Sequence, residues 1–158
     1  MSVLPPMIDR YLAAADALRQ TVAGMTREQL IARPIAGKWS TLEVICHLAD
    51  FDPILADRMK RVLAEDRPPL LGADEKRFAA ALAYHERDPE EELALIAHTR
   101  SQLARILRQQ SDDVLKRVGV HNERGELTLE RLLTITTNHI AHHVKFIVEK
   151  RQALGLPT

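Results

Sequence analysis

The apolar stripe of the last helical stretch carries two histidines, and whatever this chain folds into has to accommodate them. From Leu129 onward, one stripe runs Leu129, Leu132, Thr136, His139, His143, Phe146, beside a second of Leu133, Thr137, Ile140, Val144 and Ile147. The opposite side, Arg131, Ile135, Asn138, His142, Lys145 and Glu149, is mostly polar. This spacing predicts one amphipathic helix, capped by Thr128 and running to about Ala153, with His139 and His143 turned inward and His142 outward. An unsatisfied buried polar group costs roughly 1–3 kcal/mol, so the inward imidazoles need partners. Two readings supply them. Backbone carbonyls or waters bond each ring separately, or one metal ion takes both, since histidines at i and i+4 stand one turn apart on one face.

Three further long amphipathic segments precede this one. Ile8, Tyr11, Leu12, Ala15, Leu18 and Val22 predict a first helix ending near Gly24. Thr26 with Gln29 forms a capping box for a short piece through Leu30 to Arg33, and Pro34 and Gly37 then break the pattern. A second box, Ser40 with Glu43, opens a long helix to about Glu65, with Pro53 inside it as a point of local loosening. Asp88-Pro89-Glu90-Glu91 combines a cap, a first-turn proline and acids against the helix dipole. Leu93, Ile96, Leu103, Ile106 and Leu107 carry that helix to about Gln110. Between the long segments, residues 67–72 are expected as loop, Asp74 to Ala83 as a short helix, and Ser111 to Val118 as a short helical turn. Val120 to Leu127 is expected as a tight polar turn or small hairpin.

At 158 residues the chain suits one domain, 1–158, with no linker or internal repeat. The expected fold is all-α, a four-helix bundle with short connecting helices. The 22 basic and 22 acidic residues balance, without the basic patch that nucleic acid or an anionic membrane would require. No apolar run reaches the length of a membrane span, and the N-terminus lacks the pattern of a signal peptide, so the cytoplasm is the expected location. Cys46 is the only cysteine, which excludes an intrachain disulfide and a Cys-rich zinc site.

In a bundle, facing helices bring distant positions to one cavity. His47 lies on the apolar line Val44, His47, Phe51, Ile54 of the second long helix. It can therefore converge with His139 and His143 as three nitrogen ligands, leaving a position open for water or substrate. Glu43 and Asp50 stand one turn either side of His47, either to orient its ring or as a cap and a solvated acid. Cys46 points about 100° away from its neighbour His47 and reads as a packed small hydrophobe. His85, His98 and His121 read as surface or loop residues. The chain lacks Glu-x-x-His pairs, a glycine-rich phosphate loop and a haem-attachment motif.

The pieces Gly37-Lys38-Trp39-Ser40, Glu43 and His47-Leu48-Ala49-Asp50, followed by Gly125, Thr128-Leu129 and His139-Ile140-Ala141-His142-His143, resemble the DinB-like (DinB/YfiT) superfamily. The run from Pro69 through Tyr84 to Arg105 resembles one subgroup of it, so the likeness spans nearly the whole chain. Asp52 departs from the family pattern, standing where a Glu often follows. The resemblance implies a particular four-helix bundle, a divalent-metal site on His47, His139 and His143, and a homodimer. It also implies chemistry on a small-molecule substrate, since members with known reactions include thiol S-transferases and isomerases using low-molecular-weight thiols.

Two functions follow. One is a metal-dependent enzyme, a thiol S-transferase or a hydrolase, with zinc or nickel, or else iron or manganese, in the site. The other is a non-enzymatic bundle that binds a metal or a small molecule. No catalytic acid or base stands out from the sequence.

Overall fold

The start signals act where the sequence places them. In the computed structural model, which describes residues 1–158, α1 spans Leu4–Val22 with Pro5 and Pro6 in its first turn. Helix α2, Arg27–Ile31, and the long α3, Thr41–Ala64, each begin with a complete capping box, Thr26/Gln29 and Ser40/Glu43. Helix α4 covers Glu75–Ala81 behind the Asp74 cap. Asp88 caps α5, Pro89–Leu107, and Thr128 caps α6, Leu129–Ala153. Helix α3 continues through Pro53. Helix α5 stops short of the expected Gln110, because the amides of Gln109 and Gln110 bond back three residues, to Ile106 and Leu107, and tighten the chain out of the α-helix.

Helices α1, α3, α5 and α6 form the bundle, with α1 beside α5 and α6, and α3 also beside both. Contacts between the ends give the directions. Arg151, in the last turn of α6, donates to the carbonyls of Thr21 and Ala23 at the end of α1, so these two helices run the same way. Asp50 pairs with Arg87 just ahead of α5, and Lys60 bonds Gln102 further along, so α3 and α5 are also parallel. Arg19–Glu90 and Asp9–Arg108 make α1 and α5 antiparallel. A parallel neighbour cannot be reached by a short turn. The segment between α3 and α5 therefore returns along the bundle and carries α4 across it.

A small sheet at one end corrects the expectation of loop at residues 67–72. Pro69–Leu70 form β1, which pairs parallel with β2, Val118–His121; β2 pairs antiparallel with β3, Gly125–Thr128. The expected hairpin thus exists, and a segment some fifty residues earlier extends it, which no local pattern encodes. Gly125, at φ +70°, closes its three-residue loop. Gly119 lies so close to α3 that a Cβ there would meet Leu70 and Val62 at 2.7–2.9 Å. The sheet ties the crossover to the start of α6.

The aliphatic core falls into two clusters. One includes Ile8, Tyr11, Met59, Leu103 and Leu132; the other Leu18, Ile45, Leu48, Ile96 and Ile140. Between them lies a polar layer centred on Arg100, whose side chain is 0% exposed. Arg100 Nε and Nη2 donate to the Asp52 carboxylate at 2.7–3.1 Å, Nη1 donates to the Tyr11 carbonyl at 2.6 Å and Nη2 to the Thr136 carbonyl at 2.9 Å. The guanidinium also sits 4.4 Å from the Tyr11 ring centroid. One side chain of α5 thereby grips α1, α3 and α6. Asp52, the departure from the family pattern, is its counter-ion.

Removing one partner of a buried pair strands the other charge. Arg100→Met should lower the unfolding free energy by about 3–5 kcal/mol, whereas the double variant Asp52→Leu/Arg100→Met should lose less than Arg100→Met alone. Urea denaturation followed by circular dichroism measures both.

Candidate metal centre

The antiparallel packing of α3 against α6 brings His47 over the midpoint of α6. His47 is 1% exposed, His139 and His143 are half-buried, and His142 is exposed. The Nε2 atoms of His47 and His139 are 3.0 Å apart, and all three inward rings offer a nitrogen within 4.8 Å of the others. Two nitrogens about 2.0–2.1 Å from one tetrahedral ion stand roughly 3.3 Å apart. The cluster therefore has the dimensions of a three-imidazole ligand set.

The protonation state of its rings suits metal coordination. Burial, with repulsion from the neighbouring His143, pushes His47 down to about 4. Burial first, then the charges of His47 and Arg100, pushes His139 down to about 3, and burial with His139 and His142 does the same to His143, also to about 3. All three rings are neutral at pH 7, the form in which imidazole presents a lone pair. The Nδ1 atoms of His47 and His139 are buried without a hydrogen-bond partner. No backbone carbonyl bonds either ring, so the reading in which carbonyls satisfy them separately does not describe this interior.

Packing holds the rings instead. Aromatic residues make up only 4% of the chain, yet the single Trp and all three Phe gather here. The His47 ring lies 5.3 Å from Trp39 and 4.6 Å from Phe51; Phe51 is 5.3 Å from Phe78, and Phe146 is 6.3 Å from His143. These side chains wall the cluster with apolar surface, which strengthens any charge interaction inside.

Other sequence candidates separate clearly. Glu43 accepts from the Ser40 amide and pairs with Arg33, and so is a cap. Asp50 is neither solvated nor bonded to His47: Arg87 grips it with two bonds of 2.9–3.0 Å. Cys46 is buried, its thiol against the Tyr84 carbonyl. His85 and His98 are exposed. His121 is not a surface residue but 4% exposed, because Gly119 and His121 are the inward positions of β2. Four residues, one of them glycine, are too few to display a period of two.

Two cavities reach the cluster from different sides. One of about 320 Å³ touches His47 and His139, and another of about 420 Å³ touches His143, Trp39 and Lys150. Glu75, the first residue of α4, lines both, with its carboxylate 3.9 Å from His47 Nε2. The sequence could not identify Glu75, since its nearness depends on the path of the crossover. Arg58, which lines the first cavity, did leave a signal: it shares the α3 face of His47, Phe51 and Leu55.

Comparison with known proteins places this geometry in context. The family model described as the DinB superfamily matches residues 10–147. A Bacillus subtilis protein named "Putative metal-dependent hydrolase YfiT" is 32% identical over 139 residues, 87% of this chain and 78% of that protein. A relative from Oceanobacillus iheyensis with the same hydrolase designation is 30% identical over 130 residues, 82% of this chain and 75% of its own length. The solved structure of Bacillus subtilis YfiT, described as an unusual four-helix bundle topology, superimposes with a TM-score of 0.90 at 28% identity, covering 98% of this chain and 89% of that one. A mycothiol-dependent maleylpyruvate isomerase shares the fold, with a TM-score of 0.70 at 14% identity, over 90% of this chain and 60% of its own.

The geometry separates the adjacent histidines of α6. His143→Ala and His47→Ala should each weaken Zn²⁺ or Ni²⁺ binding at least about a hundredfold, the upper range for loss of groups that support a metal. His142→Ala should change it little. Titrations of the three variants under one condition, with helicity checked by circular dichroism, measure this; the reverse order for His142 and His143 would move the site to the outer face.

Proposed function

The chain belongs to the DinB superfamily, and on that premise we propose that it is a metal-dependent enzyme in which His47, His139 and His143 hold one divalent ion. The carrying observation is access: neutral rings converge where two cavities meet them from different sides. A structural ion is enclosed by protein ligands, whereas a three-ligand site beside open volume leaves a position for a reactant. Zinc or nickel suits three imidazoles best.

The more specific reading is thiol S-transfer, in which a low-molecular-weight thiol and an electrophilic co-substrate enter by the two cavities. A divalent ion in the site would favour deprotonation of a bound thiol or water at neutral pH. The protein's own groups do the rest. Glu75 faces both cavities and accepts the proton released by the nucleophile. Lys38, Lys76 and Lys150 line the His143 side and attract an anionic reactant. Trp39, Phe51 and Phe146 limit the water around the reacting atoms. Hydrolysis is the second reading, supported by the designation of the relatives; water would then replace the thiol.

Protein purified without an affinity tag and loaded with one Zn²⁺ or Ni²⁺ per chain distinguishes these. Turnover of an alkylating electrophile only when a thiol is present supports transfer; turnover of esters or amides without thiol supports hydrolysis. Retained metal with neither activity would leave a binding module. Glu75→Gln should keep the metal and slow turnover by about a hundredfold.

A further inference from the structure

The cavity that reaches His47 and His139 has a second, cationic end. Its α3 wall runs His47, Phe51, Leu55, Arg58, one face of the helix, and its α6 wall includes Leu132, Ile135 and His139. About 16 Å of helix separates the Cα atoms of His47 and Arg58. The far end is closed by Arg58, His121 and Arg124, the last two brought there by the β2–β3 hairpin.

One buried donor at that end lacks an acceptor. Arg58 spends one Nη2 bond on the Leu71 carbonyl, and its Nε is buried with no partner at all. Leaving such a group unmade costs about 1–3 kcal/mol. His121 Nδ1 accepts the amide proton of Glu123 at 3.1 Å, which places the ring's own proton on Nε2. Burial, followed by the charges of Arg58 and Arg124, pushes that ring below the ordinary imidazole value. His121 thus presents an N–H at the cavity from a side chain that is 4% exposed. Neither Arg58 nor Arg124 has a carboxylate partner within 4.0 Å, although each raises the electrostatic cost of the other.

We propose that Arg58, His121 and Arg124 form a carboxylate-anchoring subsite, so that the substrate held between this end and the histidine cluster is a small organic acid. The inference rests on the reading of that cluster as the reactive centre. The ligand is slender: a cavity of about 320 Å³ sits at the small end of ligand sites, and its middle is walled by Phe51, Leu55 and Leu132. A guanidinium fork with an adjacent N–H matches the planar oxygens of a carboxylate. Glu123 also lines the cavity and, with Asp57, partly offsets the charge of Arg58, so a single negative charge is favoured over the double charge of a phosphate ester. Glu123 itself is held back, its carboxylate packed over Gly72, where a Cβ would meet it at 2.6–2.9 Å.

The test uses the full metal-free chain, with hexanoate, hexyl phosphate and hexanol as probes and the Arg58 Nε–H resonance as readout. Hexanoate should shift that resonance saturably, hexyl phosphate should bind more weakly, and hexanol should not bind. Arg58→Met, monitored through other cavity resonances, should weaken hexanoate by about tenfold or more while leaving Zn²⁺ affinity unchanged. Arg124→Gln, an exposed substitution that spares the core, should also weaken hexanoate. Equal hexanoate affinity in wild type and both variants, or no saturable shift, would overturn the subsite. Tighter binding of hexyl phosphate would overturn the carboxylate assignment. Because the decisive arm contains no metal, failure of the metal reading would show separately, in the Zn²⁺ titration.

Discussion

One guanidinium connects the four long helices. Arg100 projects from α5 into a core that is otherwise aliphatic, and its bonds end on Asp52 in α3, Tyr11 in α1 and Thr136 in α6. The two apolar clusters lie on either side of this layer. Aliphatic faces can slide and rotate against one another with modest loss, whereas a forked donor satisfied by three fixed acceptors cannot. The layer therefore fixes how far each helix is rotated and at what height its neighbours stand.

The histidine cluster depends on that orientation. His139 follows Thr136 by less than a turn of α6, and His47 precedes Asp52 by little more than a turn of α3. With both helices held at the layer, the imidazoles must face each other. They do so with no backbone carbonyl bonded to either ring, held by the surrounding aromatic side chains. The nitrogens that face each other are the Nε2 atoms of His47 and His139, 3.0 Å apart, close to the spacing of two ligands on one ion. The aromatic side chains that steady the rings also form the inner walls of the approaches, so local packing and access are set together.

The crossover between α3 and α5 supplies what four helices alone would not. Because α3 and α5 are parallel, the chain must travel back along the bundle. On the way it places Glu75 beside His47 and adds β1 to the hairpin. The hairpin in turn delivers His121 and Arg124 to the end of the cavity that begins at the histidines. A second parallel pair, α1 and α6, leaves the far ends of the bundle to be joined by Arg151. The topology shared with YfiT is thus also what encloses the candidate site.

The sequence by itself determined the helices, their caps and the inward phase of His47, His139 and His143, because helical periodicity and capping are properties of a few neighbouring residues. It also carried the family resemblance, and it marked His142 as outward from its polar neighbours. Arg100 was visible only as a gap in the apolar stripe between Ile96 and Leu103, and Arg58 only as one more position on the face of His47. The tertiary structure decided the rest: which helices are neighbours, that Asp52 is a buried counter-ion, that Asp50 belongs to Arg87, and that Glu75 and His121 line the cavity. Those facts depend on the path of the connections and on contacts across tens of residues, and no local period encodes either.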